Sequence, residues 1–484
     1  MEKEKISNGE ISALGVTELE LLVSFSRVAN GLLKNDVMNK EAILANLESL
    51  VEDPMPYAMK KGGKFKNLAE QVIALRKEGK FVKQERSNHE LRDALIDFPI
   101  FGKEHIETGA LAQMNTAMKL PISVAGALMP DAHQGYGLPI GGVLATRIDT
   151  IIPYAVGVDI ACRMCLSIFD LPAEAVDTEK DMLKKLLVDH TVFGMGGVTT
   201  NYHDASLFDH ADWNATKVIR SLKNKAYTQL GTSGTGNHFV EWGELTVTEG
   251  ALEGIPAGMY LALLSHSGSR GFGGNIANHY SEIAMKKTKL PKEAKHLAWL
   301  DMNTEEGQEY WIAMNLAGAY ASANHHEIHN KIAKALNLSP ITRIENHHNF
   351  AWKEKLADGT EVMVHRKGAT PAGKDVLGII PGSMSTPGFV VRGKGEESSI
   401  NSASHGAGRL MSRSAAFKTI QKEIVEAELT SKRITLLGSD LDEAPMVYKD
   451  IHAVMAAQTD LVEVLASFQP RIVKMANPKE KPED

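Results

Sequence analysis

"GVDIACRMC", Gly157 to Cys165, holds both cysteines of a chain of 484 residues. Its reading decides the fold, because a C-x-x-C belongs to different architectures in different chemistries. A redox pair opens a helix after a strand, where the helix N-terminus lowers the thiol pKa. No thioredoxin-like βαβ context surrounds this one. A structural zinc site needs four ligands, and the chain has no second cysteine pair. The third option pairs Asp159 with Cys162. A carboxylate and a thiolate three residues apart converge on one metal if the backbone turns, and mixed O, S and N ligation suits a borderline or transition metal.

That option needs histidines from elsewhere. Four stand in glycine-rich or polar loops: His238 in "GTGNHF", His266 in "SHSGSR", His348 in "ENHHNF" and His405 in "SASHGAGR". Backbone can approach a ligand closely in such loops. Other motifs are near misses. "NHHEIHNK" (324–331) spaces His325 and His329 at i,i+4, but Glu327 is misplaced for the base of an HExxH metalloprotease, so a helix surface is expected. "GATPAGKD" (368–375) puts Asp375 where a Walker A loop needs Ser or Thr, and Pro371 removes an N–H that the phosphate cradle would use. "PGSMSTPG" (381–388) and "HGAGR" (405–409) are phosphate-compatible. Arg409 is expected to open a helix starting near Gly406, where charge and dipole favour an anion.

The bulk numbers fit this picture. At 43% hydrophobic and 23% charged, the chain has apolar material for a core and does not read as disordered. A net charge of −7 argues against coating nucleic acid by charge alone. Two cysteines make no disulfide framework, the N-terminus has no signal-peptide core and no apolar run reaches membrane length, so a cytoplasmic protein is expected. Residues 16–50 carry two amphipathic helical patterns, the second capped by Asn39, and 67–79 another. The lysine-bearing 59–66 reads as a solvated loop. From about 97, short β-rich runs alternate with glycine loops, and helices are expected at 272–289, 304–336 and 406–429. The division expected is a helical extension at 1–95, a catalytic domain at 96–476 and a charged tail at 477–484.

"MPDAHQGYGLPIGGV", "GVDIACRM", "GTGNHFVE", "HSGSRG", "HHN", "VHRKGAT", "IPGSM", "SASHGAGR" and "DEAPMVYKDI" occur in this order between Phe98 and Lys474. In this the chain resembles the RtcB family of RNA ligases. The resemblance implies an α+β fold: one large catalytic domain of mixed sheets and helices around a central metal site, with the N-terminal helices outside it. It also implies a GTP- and Mn²⁺-dependent joining of RNA 3′-phosphate or 2′,3′-cyclic phosphate ends to 5′-hydroxyl ends, for RNA repair or tRNA splicing. On that pattern His405 is the nucleophile that becomes guanylylated. Asp159, Cys162, His238, His266 and His348 would ligate two manganese ions, with Cys162 bridging.

GTP contacts carry over onto Asn237, His238, Phe239, Val240, Glu241, His348, Asn349, Pro381, Gly382, Ser383, Met384, His405, Gly406, Ala407, Gly408 and Lys474. Phe239 and Tyr448 would flank guanine, and Glu241 would accept from its N1–H and N2 amine. Arg163, Arg270 and Arg409 are the phosphate or RNA candidates. With Arg366, Lys367, Arg392 and Lys394 they would form a local basic groove. RNA with broken ends is the implied partner, with an archease-type activator as a further one.

Departures from the family pattern are Ala161 and Arg163 at glycine positions, Gly274-Asn275 for His-Gln, Ser385 for glycine, and Gly388 where many members offer guanine a hydroxyl. They suggest a divergent subfamily. Two other readings keep the motifs: a metal-dependent phosphoesterase, which needs neither His405 nor Lys474, and a non-catalytic RNA-binding protein. Neither the oligomeric state nor the RNA follows from the sequence.

Overall fold

The computed structural model describes residues 5–480 apart from 13, 17, 80, 82–86, 201, 203 and 479. Part of the expected tail, 479 and 481–484, lies outside the described residues. The chain forms two compact units, Met1–Asn88 with Met285–Lys289, and His89–Ala284 with Leu290–Asp484. The sequence draws this boundary at 95; the first unit closes at Asn88 and takes in Thr288 and Lys289, which pair in parallel with Ser87 and Asn88.

In the first unit the apolar stripes of helices Leu19–Lys34, Lys40–Glu52 and Lys66–Lys77 bury Leu21, Phe25, Leu47, Leu50, Leu68 and Val72 against one another. Asn39 accepts from Ala42 N–H at 2.8 Å, a cap that stabilises such a helix by about 1 kcal/mol.

The second unit is α+β. Its larger sheet runs Thr342–His347, Arg163–Pro172, Gly258–Ser267, Phe239–Val247, Val462–Met475, Gly388–Gly393, Leu377–Ile380, all antiparallel neighbours. Thr435–Leu437 pairs in parallel with Val462–Met475. A four-stranded antiparallel sheet orders Asn349–Lys355, Glu361–Lys367, Ile140–Arg147, Ser123–His133. Side chains of a strand alternate between faces, and the larger sheet buries both. One face carries Met164, Leu166, Leu264 and Phe239. The other carries Val240, Trp242, Leu261 and Leu263 against Ile328 and Ile332 of the long helix Glu305–Leu336. His266 stands opposite Met164 and Phe239 on the first face; Ser265 stands opposite Cys165 and Val240 on the second.

Helices occur at Arg270–Lys287 and Glu305–Leu336, as expected. The stretch 406–429 differs. Residues 405–412 are irregular, and helices follow only at Arg413–Thr419, capped by Ser412, and Lys422–Ser431. Gly408 is the reason: its φ of +77° is left-handed, and a Cβ there would lie 2.0 Å from the Asp131 carbonyl oxygen. Arg409 therefore opens no helix. No helix among the described residues is long and apolar enough to cross a membrane.

Candidate active site

Asp159 and Cys162 are joined by a tight turn, with Cys162 N–H donating to the Asp159 carbonyl at 3.2 Å. Ala161, third in that turn, has φ +58°. This left-handed conformation disfavours a Cβ by about 1 kcal/mol, which gives a physical reason for the glycine of the family pattern at this position. The end of strand Gly258–Ser267 presses against the turn, since a Cβ on Gly268 would lie 2.1 Å from Asp159 Oδ1.

His238 directs Nδ1 to the Ser233 carbonyl at 2.7 Å, and His266 directs Nδ1 to the Asn237 carbonyl at 3.0 Å. A carbonyl only accepts, so each ring carries a proton on Nδ1 and turns Nε2 inward. His238 Nε2 lies 3.1 Å from Asp159 Oδ2 and 3.6 Å from Cys162 Sγ. His266 Nε2 lies 3.1 Å from Cys162 Sγ and 3.3 Å from His348 Nε2. Two overlapping ligand triads result, Asp159–Cys162–His238 and Cys162–His266–His348, and they share the cysteine. Burial pushes His266 down to about 3 and His348 well below the usual range, so both rings are neutral. Burial also opposes the Asp159 charge, yet the His238 ring and the Cys162 thiol beside it hold its pKa below the usual value. A thiol, a carboxylate and three imidazoles facing one another fit a transition-metal cation.

His405 lies beside His348 with ring centres 4.8 Å apart and the planes tilted by 51°. Its Nδ1 donates to Asp131 Oδ2 at 2.6 Å, and its backbone N–H reaches the same oxygen at 3.1 Å. Asp131 is fully buried, and burial would raise its pKa. The hydrogen bond from His405 and the Lys449 ammonium instead hold it below the usual value. A carboxylate accepting Nδ1–H leaves a lone pair on Nε2 of the neutral ring, the arrangement of an activated nucleophile. Asp131 was legible in the sequence only as part of "MPDAHQG"; nothing in that run marks it as the partner of a histidine 274 residues away.

Both clusters open onto a cavity of about 650 Å³. Its walls include Asn237, Phe239, Glu241, His348, Asn349 and Tyr448, the loop residues Pro381, Gly382, Ser383, Met384 and Gly388, and His405 to Arg409. Burial alone pushes the Glu241 carboxyl well above the usual range. Lys367 also lines the cavity, and burial pulls its pKa down to about 7. Asn349 braces the wall: Nδ2 donates to the Asp159 carbonyl at 3.1 Å, and Oδ1 accepts Gly368 N–H at 2.8 Å.

The family model described as tRNA-splicing ligase RtcB matches residues 113–215 and 202–476. The chain belongs to the RtcB family. It is 36% identical over 396 residues to the RNA-splicing ligase RtcB of Escherichia coli K12, covering 75% of this chain and 93% of that one. It is 30% identical to the tRNA-splicing ligase RtcB of Archaeoglobus fulgidus, covering 71% of this chain and 86% of the other.

Several residues that the RtcB pattern assigns to the pocket stand elsewhere. Lys474 and Val240 pair across neighbouring strands and point to the face away from the cavity, while Phe239, Glu241, Val473 and Met475 line it. The Lys474 ammonium donates to the carbonyls of Leu187, Val188 and Thr191 at the end of helix Lys180–His190, where a cation complements the helix dipole. Arg163 is buried on that same face, 2.9 Å from Glu345. Arg270 is buried too, donating to Thr232 Oγ1 at 2.9 Å and the Gly194 carbonyl at 3.0 Å.

Arg409 reaches the cavity wall, but its guanidinium is shared among Asp442 O, Glu443 and the Tyr448 ring. Arg366 is spent on Glu354, Ser402 and the Ile400 carbonyl. The expected basic groove therefore shrinks at the cavity to Lys367 and Arg409.

The remaining departures are local. Ser385 donates to Glu428 at 2.5 Å and so ties the 381–388 loop to helix Lys422–Ser431. Gly388 fits where a Cβ would meet Pro381 Cα at 3.2 Å. Gly274 and Asn275 lie on helix Arg270–Lys287.

Proposed function

We propose that this chain is a GTP- and Mn²⁺-dependent RNA ligase that joins RNA 3′-phosphate or 2′,3′-cyclic phosphate ends to 5′-hydroxyl ends. The observation that carries the reading is the pairing of His405 with Asp131 at 2.6 Å, beside two ligand triads and inside one nucleotide-sized cavity. His405 Nε2 attacks the α-phosphorus of GTP. A P–N bond forms, the bond to pyrophosphate breaks, and Asp131 holds the Nδ1 proton while positive charge develops on the ring. A 2′,3′-cyclic end is first opened by water, which adds to phosphorus and releases the 2′-oxygen as a hydroxyl. The GMP group then passes from His405 to the RNA 3′-phosphate, and the 5′-hydroxyl attacks that phosphorus and displaces GMP.

Guanine is read by Glu241, which accepts from N1–H and the N2 amine, donors that adenine lacks. Raised as its pKa is, this carboxyl must ionise as the base enters, so GTP binding weakens as the pH falls. Phe239 and Tyr448 flank the base, and the loops at 381–388 and 405–408 offer N–H groups to the phosphates. Asp159, Cys162, His238, His266 and His348 would hold two manganese ions, Cys162 being common to both ligand groups. When bound, the ions neutralise phosphate charge and brace attacking and leaving oxygens. Broken RNA is the substrate, and an archease-type activator a further partner.

Incubation with Mn²⁺ and α-labelled GTP tests this. The wild type should retain acid-labile label on protein, and His405→Ala should not. A wild type that takes no label, or that joins 3′-hydroxyl but not 3′-phosphate ends, sinks the proposal.

A further inference from the structure

A second cysteine–histidine cluster, Cys165, His325 and His329, lies on the far face of the same sheet. All three residues are fully buried. His325 and His329 are one turn apart on helix Glu305–Leu336; they do not lie on a helix surface, as the sequence suggested. Ligand spacing alone would make this a metal site, but its protons argue otherwise.

The Ser267 carbonyl can only accept, so the His325 proton sits on Nε2, 3.1 Å away. Burial keeps His325 and His329 neutral, so His325 Nδ1 accepts the Ser265 hydroxyl proton at 2.6 Å. With that proton used, Ser265 Oγ accepts from His329 Nε2–H at 2.7 Å. His329 Nδ1 then accepts the Ser167 hydroxyl proton at 2.8 Å, and Ser167 Oγ accepts the Arg343 Nε–H at 3.2 Å. A donor-only group opens the chain and an acceptor-only group closes it, so every proton has one place. A cation would have to take a ring nitrogen from each histidine and break a link at both. Cys165 offers no charge to attract one, because burial pushes its thiol up to about 12.

The end of the chain is informative. The Ser267 carbonyl lies 3.6 Å from Cys162 Sγ, and Ser267 follows His266. Asn324, beside His325 on the helix, donates to Ser267 Oγ at 3.2 Å and to the Thr232 carbonyl at 3.0 Å. Ser267 Oγ in turn donates to the Ser233 carbonyl, the same oxygen that orients His238.

We propose that Arg343, Ser167, His329, Ser265 and His325 form a metal-free hydrogen-bond chain that positions the Ser267 carbonyl, and through it His266 and Cys162 of the metal centre on the opposite face. The proposal rests on the metal reading of Asp159, Cys162, His238, His266 and His348. The five residues are positioning residues: they touch neither cation nor substrate. The Ser267 carbonyl is the member that meets a ligand directly. Direct partners of ligands are worth about 10- to 100-fold in metal affinity, and the five residues act through it.

The test is Co²⁺ titration of the metal-free full-length protein. Its readouts are the thiolate-to-cobalt absorption band, the number of ions bound and, in parallel, urea unfolding without metal. Ser265→Ala should bind Co²⁺ about tenfold more weakly and shift the band. Ser265→Thr, which keeps the hydroxyl, should restore both. A purely structural serine would lower the unfolding midpoint and leave the band where it was. If Ser265→Ala fails to fold, Ser167→Ala breaks the chain further from the ligands and should show the same shift.

Cys165→Ala should bind as many ions as the wild type. Loss of an ion in that variant, or an unchanged band and affinity in Ser265→Ala, overturns the chain. A wild type with no cobalt–thiolate band overturns the metal reading instead.

Discussion

Two cysteine–histidine clusters back onto one another through a single sheet, and they differ in how their protons are distributed. On the cavity side, Cys162 has one thiol proton and faces Asp159, His238 Nε2, His266 Nε2 and the Ser267 carbonyl. Two neutral imidazole nitrogens there lie 3.3 Å apart, and His348 Nδ1 is buried without a partner. On the helix side, four ring nitrogens meet three groups of matching sense, Ser265 Oγ serving two of them. Residue types and distances are alike, yet one cluster gains from a cation and the other has no place for it. Ligand spacing is thus a poor guide until the hydrogens are counted, because a buried polar network is stable only when each donor meets an acceptor.

The sharpest way to break this contrast is Cys162→Ser. It should lose the bound metal of both triads and all nucleotide label, measured by metal analysis after dialysis and by labelling with α-labelled GTP. A variant that keeps its metal would show that the shared cysteine does not bridge. Asp131→Asn comes next. It keeps the shape beside His405 but removes the charge that stabilises the ring as the P–N bond forms. Label formation should slow by about 100-fold with metal content unchanged. A wild-type rate would leave Asp131 as packing only.

Acid unfolding extends the contrast to a buried histidine outside both clusters. His365 accepts Ile152 N–H on Nε2 at 2.9 Å and directs Nδ1 to the Leu144 carbonyl at 3.2 Å. Burial pushes its pKa from 6.5 down to about 4. Between those values the unfolded chain binds the proton and the folded one does not, so stability falls as the pH drops through the window. The urea midpoint of His365→Gln should fall less steeply than that of the wild type over that range. Equal slopes would remove His365 from the acid response. Cys165→Ala is the smallest effect expected: about 1 kcal/mol of stability, with metal content and label as in the wild type. Loss of metal in this variant would erase the distinction between the clusters.

Much of the site was legible because its chemistry is concentrated in short, unusual runs. Asp159, Cys162, His238, His266 and His348 converge, and His405 stands beside them. The turn at 159–162 and the cap at Asn39 also follow from local sequence. The misplacements share one cause. Val240 and Lys474 belong to contiguous motifs whose neighbours do reach the cavity, but a strand sends alternate side chains to opposite faces. Phe239 and Met475 point one way, and Val240 and Lys474 the other. Arg163 and Cys165 part from Met164 for the same reason. Ser385 differs: its bond to Glu428 joins a loop to a helix far along the chain.

The sequence by itself determined the donor atoms of this protein: one thiol, one carboxylate and the histidines suited to a transition metal, with glycines where the backbone must come close. His266, expected in a loop, stands at the end of a strand. Only the tertiary structure decided which of two clusters is short of protons, which arginines are spent inside the fold, and that Asp131 holds His405. The physical reason is that a residue's donor and acceptor groups are fixed by its identity, whereas the partners that consume them arrive from other strands and from the helix laid across the sheet.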